Sequence, residues 1–518
     1  MERTAGILMP IFSLPSKYGI GCFSKEAYDF VDWLRDAGQC YWQILPLVPT
    51  SYGDSPYQSF STYAGNPYFI DLETLISENL LTKEECESVD FGQDSTSVDY
   101  EKLYYGRYKL LRKAYERANV GENSDFKWFI GENAWWLNDY ALFMALKDRF
   151  DGKSWTDWPE DIRLRYGYSM DYYNEILYYE IEFQKYMQFL YQKHWFALKD
   201  YANEQGIQII GDIPIYVAMD SADVWANPEL FQLDEGNIPI AVAGCPPDGF
   251  SATGQLWGNP LYRWDYHRET GYAWWMNRLR YCFKYYDILR IDHFRGFDEY
   301  YSIPYGEKTA MNGTWKKGPG MDLFWKMWEV LGPQKVIAED LGYMTDGVRK
   351  LVADSGFPGM KVLEFAFDSR DSSSANDYLP HNYHENCVAY TGTHDNETLQ
   401  GWLKNITQDE LEALREYLCD YYTPIEELHM NLISVAMRSN ACMCIIPIQD
   451  YLGLDNSARI NHPSTVGGNW KWRIAKCALT KQMQKKIRFI TRTYGRLCWQ
   501  WDYQLDNATN EIAHANVG

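Results

Sequence analysis

Several things are missing from this 518-residue sequence, and each absence removes a class of function. No run of Lys or Arg is present to track a phosphate backbone. Asp and Glu number 71 against 49 Lys and Arg, a net charge of −22 that repels nucleic acid and anionic lipid surfaces. No apolar stretch approaches the ~20 residues of a membrane span. The short apolar run near the start is broken by Pro10 and lacks a small-residue cleavage site, so it reads as a first strand. The 11 cysteines contain no C-x-x-C pair and are scattered from Cys22 to Cys498. That predicts reduced thiols in a cytoplasmic protein rather than a disulfide framework.

Cofactor motifs are missing as well. Gly152-Lys153-Ser154 matches the end of a P-loop, but position 147 is Lys where the motif needs Gly. Gly19-Ile20-Gly21 lacks the third glycine of a dinucleotide fingerprint. There is no H-x-H or H-E-x-x-H, His394-Asp395 has no second clustered His pair, and no G-x-S-x-G elbow occurs. Neither a metal ion nor an organic cofactor is expected. What the chain does hold is rings: 21 Trp, 42 Tyr and 23 Phe, 17% of all residues. Most of these are expected to fill the core, while those in loops suit a wet, amphipathic ligand.

Short apolar strands that end in polar residues recur, each followed by a helical stretch. They fall at Ala5–Phe12, Tyr41–Leu47, Gln208–Ile210, Ile288–Ile291, Val336–Ala338, Met360–Phe365, Val388–Tyr390 and Met443–Ile448. Ser24 opens one helix and Gly38 stops it; Thr345 and Gly356 bracket another. Eight strands alternating with helices fit a parallel barrel or a doubly wound sheet. The second and third strands lie about 160 residues apart, far more than a crossover needs. The interval of about 68–203 is therefore expected to carry an inserted helical subdomain rich in Trp and Tyr. A stretch at about 218–272 reads as lid loops, and one at about 400–435 as a helical insertion.

Barrel enzymes keep their chemistry at strand C-termini, and four strands here end in carboxylates: Gly211-Asp212, Ile291-Asp292-His293, Ala338-Glu339-Asp340 and Thr393-His394-Asp395-Asn396. Any one of them could cap the next helix; four at one end of a barrel point to a site that pushes pKa values apart. Arg290 and Asp292 are two apart and share a face, with Leu289 and Ile291 on the other. The guanidinium is expected to lower the Asp292 pKa and orient it as a nucleophile. Glu339, among apolar neighbours, is expected to be raised into the range of a general acid. That pairing is the retaining-glycosidase arrangement, with carboxyls about 5–5.5 Å apart. Asp395 would then steady the transition state, and His293 and His394 would bond sugar hydroxyls.

The chain resembles the 4-α-glucanotransferases of glycoside hydrolase family 77, relatives of the α-amylases. The resemblance rests on Ser55-Pro-Tyr57-Gln-Ser, Gly211-Asp-Ile-Pro-Ile-Tyr-Val, Asp223-Val-Trp-Ala-Asn-Pro-Glu-Leu-Phe, Ser251-Ala-Thr-Gly-Gln-Leu-Trp257-Gly-Asn-Pro, Arg290-Ile-Asp-His-Phe-Arg-Gly, Ala338-Glu-Asp-Leu-Gly and Thr393-His-Asp-Asn-Glu-Thr. It implies a (β/α)8 TIM barrel spanning 1–518, with inserted, largely helical subdomains and no separate C-terminal β domain. It also implies transfer between α-1,4-glucans such as maltooligosaccharides, amylose and glycogen, with an amylase-like hydrolase as the alternative. In the resemblance Asp292 is the nucleophile, Glu339 the acid/base and Asp395 the transition-state stabiliser. Arg290 orients the nucleophile, and Tyr57, Asp212, Trp257, Phe250, His293 and His394 are expected to bind sugar. Two positions depart from the family pattern. Cys22 replaces an Asp, and Gly249-Phe250 stands where the lid carries Tyr, so Phe250 can stack on a sugar but cannot donate a hydrogen bond.

Overall fold

The computed structural model describes residues 3–247, 251–342, 344–367 and 376–498. Its strands, in chain order, are β1 (Thr4–Leu8), β2 (Tyr41–Gln43), β3 (Gln208–Pro214), β4 (Ala241–Cys245), β5 (Gln255–Pro260), β6 (Ile288–Asp292), β7 (Glu299–Pro304), β8 (Thr314–Lys317), β9 (Val336–Ala338), β10 (Gly359–Val362), β11 (Cys387–Tyr390) and β12 (Met443–Pro447). Eight of them close into a parallel barrel in the order β1-β12-β11-β10-β9-β6-β3-β2. These are the eight strands expected from the sequence. The barrel interior is filled by Leu8, Ile210, Ile288, Ile337, Met360, Val388, Tyr390 and Ile445, one from nearly every strand, while Leu289 and Ile291 join the outer shell under the helices. Alternation along β6 therefore turns Ile288, Arg290 and Asp292 inward together.

The helices follow the local signals with one change. Thr345 accepts a bond from the Val348 N–H at 3.3 Å, and Gly356 takes the left-handed conformation (φ 64°) that ends that helix. Ser24 stands at the start of Lys25–Asp36, but its hydroxyl donates to the Glu26 carboxylate at 2.6 Å instead of accepting from a helix N–H.

Between β2 and β3 the chain is helical, dominated by Tyr100–Arg117, Ser124–Arg149 and Tyr178–Glu204. The last of these packs on both Lys25–Asp36 and β3, so it also serves as the barrel's own outer helix at that position. The stretch read as lid loops differs more. It contains β4 and β5, which join β7 and β8 in a four-stranded antiparallel sheet of order β5-β4-β7-β8. Trp257 thus lies on a strand rather than in a lid loop, and Gly254 (φ 69°) and Gly258 (φ 78°) supply its left-handed turns. The 400–435 stretch holds Leu399–Asn405, Gln408–Leu418 and the start of Leu428–Arg438; the last packs on β11 and β12. No helix among the described residues is long and apolar enough to cross a membrane.

Candidate active site

At the C-terminal mouth of the barrel, register brings the carboxylates together. Ile291 pairs with Ala338, so the next residues, Asp292 and Glu339, sit side by side on adjoining strands and both point inward. The peptide after Asp292 completes the junction. The His293 N–H donates to Glu339 Oε2 at 2.7 Å, and the Leu341 N–H donates to Oε1 at 2.8 Å. His293 adopts φ 53°, an uncommon left-handed conformation for a non-glycine residue, and this aims its N–H at the glutamate.

Arg290 is the central cation. It is buried and bonds both oxygens of Asp212 (2.8 and 2.7 Å) and Asp292 Oδ1 (2.9 Å). The Tyr57 hydroxyl donates to Asp212 Oδ2 at 2.7 Å. Asp212 is fully buried with both oxygens engaged. Its place is beneath the cleft floor, holding Arg290 and Tyr57, rather than facing a sugar as expected.

The electrostatics correct one expectation and support another. Burial raises both members of the pair, Glu339 to about 7 and Asp292 to about 6. Arg290 lowers Asp292, but it divides its charge with Asp212, and burial outweighs it; the expected depression below the ordinary carboxylate range does not occur. The order survives. Asp292 keeps 28% of its side chain open to the cleft and is the more acidic of the two, while its negative charge adds to the burial that keeps the proton on Glu339.

Asp395 follows β11 on an irregular segment. Its Oδ1 accepts from Asn461 Nδ2 at 2.6 Å, His394 Nε2 lies 3.4 Å from its Oδ2, and Arg459 bonds its backbone carbonyl at 2.7 Å. His394 clusters with Tyr57 (ring centroids 5.1 Å, 13° between planes) and Trp470 (5.9 Å), whose own rings lie 5.8 Å apart. Trp257 stands edge-on to His293 at 4.7 Å. Burial holds His293 neutral, with its pKa down to about 3, and its Nε2 has no hydrogen-bond partner. Phe250 lies outside the described residues. Cys22 is buried away from the cleft beside Ser16, and desolvation pushes its thiol up to about 12.

The cleft over these groups forms two adjoining lobes of about 580 Å³ and about 970 Å³, which share Trp257, Asp292, His293 and Asp395. Together they exceed the roughly 300–1,000 Å³ of a drug-sized pocket and match an extended chain. The far wall is formed by a segment well beyond β12, including Asn461, Pro463 and Ser464, which no short sequence motif marks. Its signal is present in the barrel rule itself: Pro463, Gly467 and Gly468 mark a loop beyond the last strand and the short helical turns Ile448–Tyr451 and Asn456–Ala458 that follow it, at the end where barrels place chemistry.

Paired inward carboxylates, one kept protonated and one held by a guanidinium, under an aromatic-walled cleft on a parallel barrel, define a glycoside-processing barrel enzyme. The model of glycoside hydrolase family 77, described as 4-alpha-glucanotransferase, matches residues 9–480, and the chain belongs to that family. It is 50% identical over 491 residues to the 4-alpha-glucanotransferase of Clostridium butyricum, covering 94% of this chain and 100% of that one. It is 44% identical to the 4-alpha-glucanotransferase of Thermus thermophilus, covering 96% and 100%. Among solved structures, the amylomaltase from Streptococcus agalactiae in complex with acarbose superposes with a TM-score of 0.92 at 43% identity, over 96% of this chain and 100% of that one.

Proposed function

We propose that the chain moves a segment of an α-1,4-glucan to the 4-hydroxyl of another glucan or of glucose, by a retaining double displacement on maltooligosaccharides, amylose or glycogen. In the first step an Asp292 oxygen attacks the anomeric carbon while Glu339 protonates the departing glycosidic oxygen, leaving a glycosyl-aspartate. In the second, the Glu339 carboxylate takes the proton of the acceptor 4-hydroxyl, which attacks the same carbon and frees Asp292. Asp395 stabilises the oxocarbenium-like charge between the two. Arg290 orients the nucleophile; Tyr57, Trp257, His293 and His394 line the sugar path, and Phe250 is read as a stacking ring at the lid.

The observation that carries this reading is the adjacent, inward placement of Asp292 and Glu339 with their protonation order set by burial and Arg290. The aromatic walls from Tyr57, Trp257 and Trp470 favour a sugar acceptor over water, and so transfer over hydrolysis. Buried free thiols such as Cys22, Cys86 and Cys282 suit a reducing, cytoplasmic setting. Incubation with maltotriose followed by chromatography tests the proposal: glucose with a ladder of longer oligosaccharides is expected. Rising reducing ends without longer products would instead mean a hydrolase. Asp292→Asn should lose both activities by at least about a thousandfold while still binding glucan.

A further inference from the structure

We infer that Asn461 is a positioning residue that fixes the carboxylate of Asp395 for the transition state; the inference rests on the reading of Asp395 as the stabilising carboxylate. Asp395 needs such a device. Its side chain is 42% exposed, and it sits on an irregular segment beyond β11, where a lone carboxylate would sample several rotamers. Its Oδ1 accepts the Asn461 carboxamide N–H at 2.6 Å. The same residue reaches back through its main chain, the Asn461 N–H donating to the His394 carbonyl at 3.1 Å. Arg459 closes the clamp, donating to the Asp395 carbonyl at 2.7 Å and to the Asn461 carbonyl at 2.8 Å.

The choice of residue type follows from charge. A carboxamide orients a carboxylate without neutralising it, so the field at the anomeric carbon is kept. The nearby cation, Arg459, bonds carbonyls instead and lies 4.0 Å from the Glu397 carboxylate. Asn461 is also the base of the cleft's far lip. His462 donates its N–H to Asn469 Oδ1 at 3.0 Å, Asn469 Nδ2 bonds Thr465 Oγ1 at 3.1 Å, and the Trp470 N–H bonds the Ile460 carbonyl at 2.7 Å. The lip is therefore braced as a unit, and Pro463 and Ser464 on it face the cleft. A glucan resting on that lip bears on the residue that holds Asp395.

The charged and titratable groups around this pair are Arg290 and Asp292 from β6, Glu339 just after β9, Glu364 after β10, His394 and Glu397 after β11, Glu410 on the helix Gln408–Leu418, and Arg459 and His462 on the lip. None of them changes between the variants that test the inference. Transfer from maltotriose is followed across pH for Asn461→Ala, Asn461→Asp and Asp395→Asn, with melting temperature recorded for each. Asn461→Ala is expected to lower kcat about 10- to 100-fold, the worth of a charge-assisted hydrogen bond, with KM moved less than about threefold. Asn461→Asp is isosteric. At neutral pH two carboxylates oppose each other and kcat falls; toward pH 5 a shared proton restores an O–H to O⁻ bond. The ratio of its kcat to wild type therefore rises as pH falls.

An Asn461→Ala kcat within twofold of wild type, or a ratio for Asn461→Asp that is flat with pH, overturns the inference. If Asn461→Ala melts early, the pH ratio of the isosteric variant decides alone. An inactive Asp395→Asn beside a normal Asn461→Ala overturns only the positioning role. An active Asp395→Asn overturns the role of Asp395 itself.

Discussion

Arg290 and Asp292 show what two residues of sequence can and cannot reveal. Their spacing on a strand was enough to place both side chains inside the barrel, and the structure puts them there. The sign of the net shift on Asp292 is not legible in that spacing, because burial in the assembled barrel mouth sets it first, and Asp212 from β3, which takes two of the guanidinium's contacts, adds to it. A pH profile follows from the pair. The first step needs Asp292 ionised and Glu339 protonated, so activity falls as pH drops through about 6 and as it rises through about 7. A bell in kcat/KM is expected, its two apparent constants raised by burial and belonging to the pair. Asp292→Asn removes the negative charge that helps hold the proton on Glu339, so Glu339 should titrate lower in that variant. Carboxyl ¹³C titration reads this directly, and a Glu339 midpoint unchanged from wild type would count against the coupling.

At the scale of the element, strands were read correctly wherever an apolar run ended in a polar residue, and misread where glycine dominated. β5 falls within the stretch expected as lid loops, where Gly254, Gly258 and Pro260 flank Trp257; pairing with β4 across the antiparallel sheet overrides that local composition. The lip after β12 was missed because no short motif marks it, although it contributes Asn461 to the site. β3 shows the reverse case, a glycine whose reason lies wholly in packing. A Cβ on Gly211 would fall 2.1 Å from the ring of Tyr286, a buried side chain with no room to yield. Gly211→Ala is expected to destabilise by about 1–3 kcal/mol. It should also lower kcat, since the residue pushed out of register is Asp212, which anchors Arg290. Denaturant midpoints and kcat measured together test this; a midpoint within error of wild type would show that β3 absorbs the methyl.

For the whole molecule, the aromatic excess proves to be mainly architecture. Trp42, Trp155, Trp195, Trp225 and Trp275 are fully buried, and Tyr57, Trp257 and Trp470 stand out because they border the cleft. The two ends of the barrel also divide the labour. The C-terminal mouth carries the carboxylates, whereas the N-terminal end carries closure, and the closure was invisible in the sequence because its partners are backbone carbonyls far away along the chain. Arg496, just beyond Lys481–Thr493, the last helix among the described residues, is fully buried beneath β1 and β12. Its guanidinium donates to the carbonyls of Thr4 (3.0 Å), Met437 (2.6 Å) and Ser439 (3.0 Å). It thereby ties the first strand to the segment leading into the last at the seam where β1 meets β12. Arg496→Ala leaves three carbonyls with a donor removed and a cavity where the side chain was. The expected loss is on the order of 3 kcal/mol or more. Because the seam lies at the opposite end from Asp292 and Glu339, the folded fraction should keep its kcat and KM. Thermal melting and initial rates below the melting range separate the two effects. A fall in kcat with an unchanged melting temperature would mean that the two ends of the barrel are not independent.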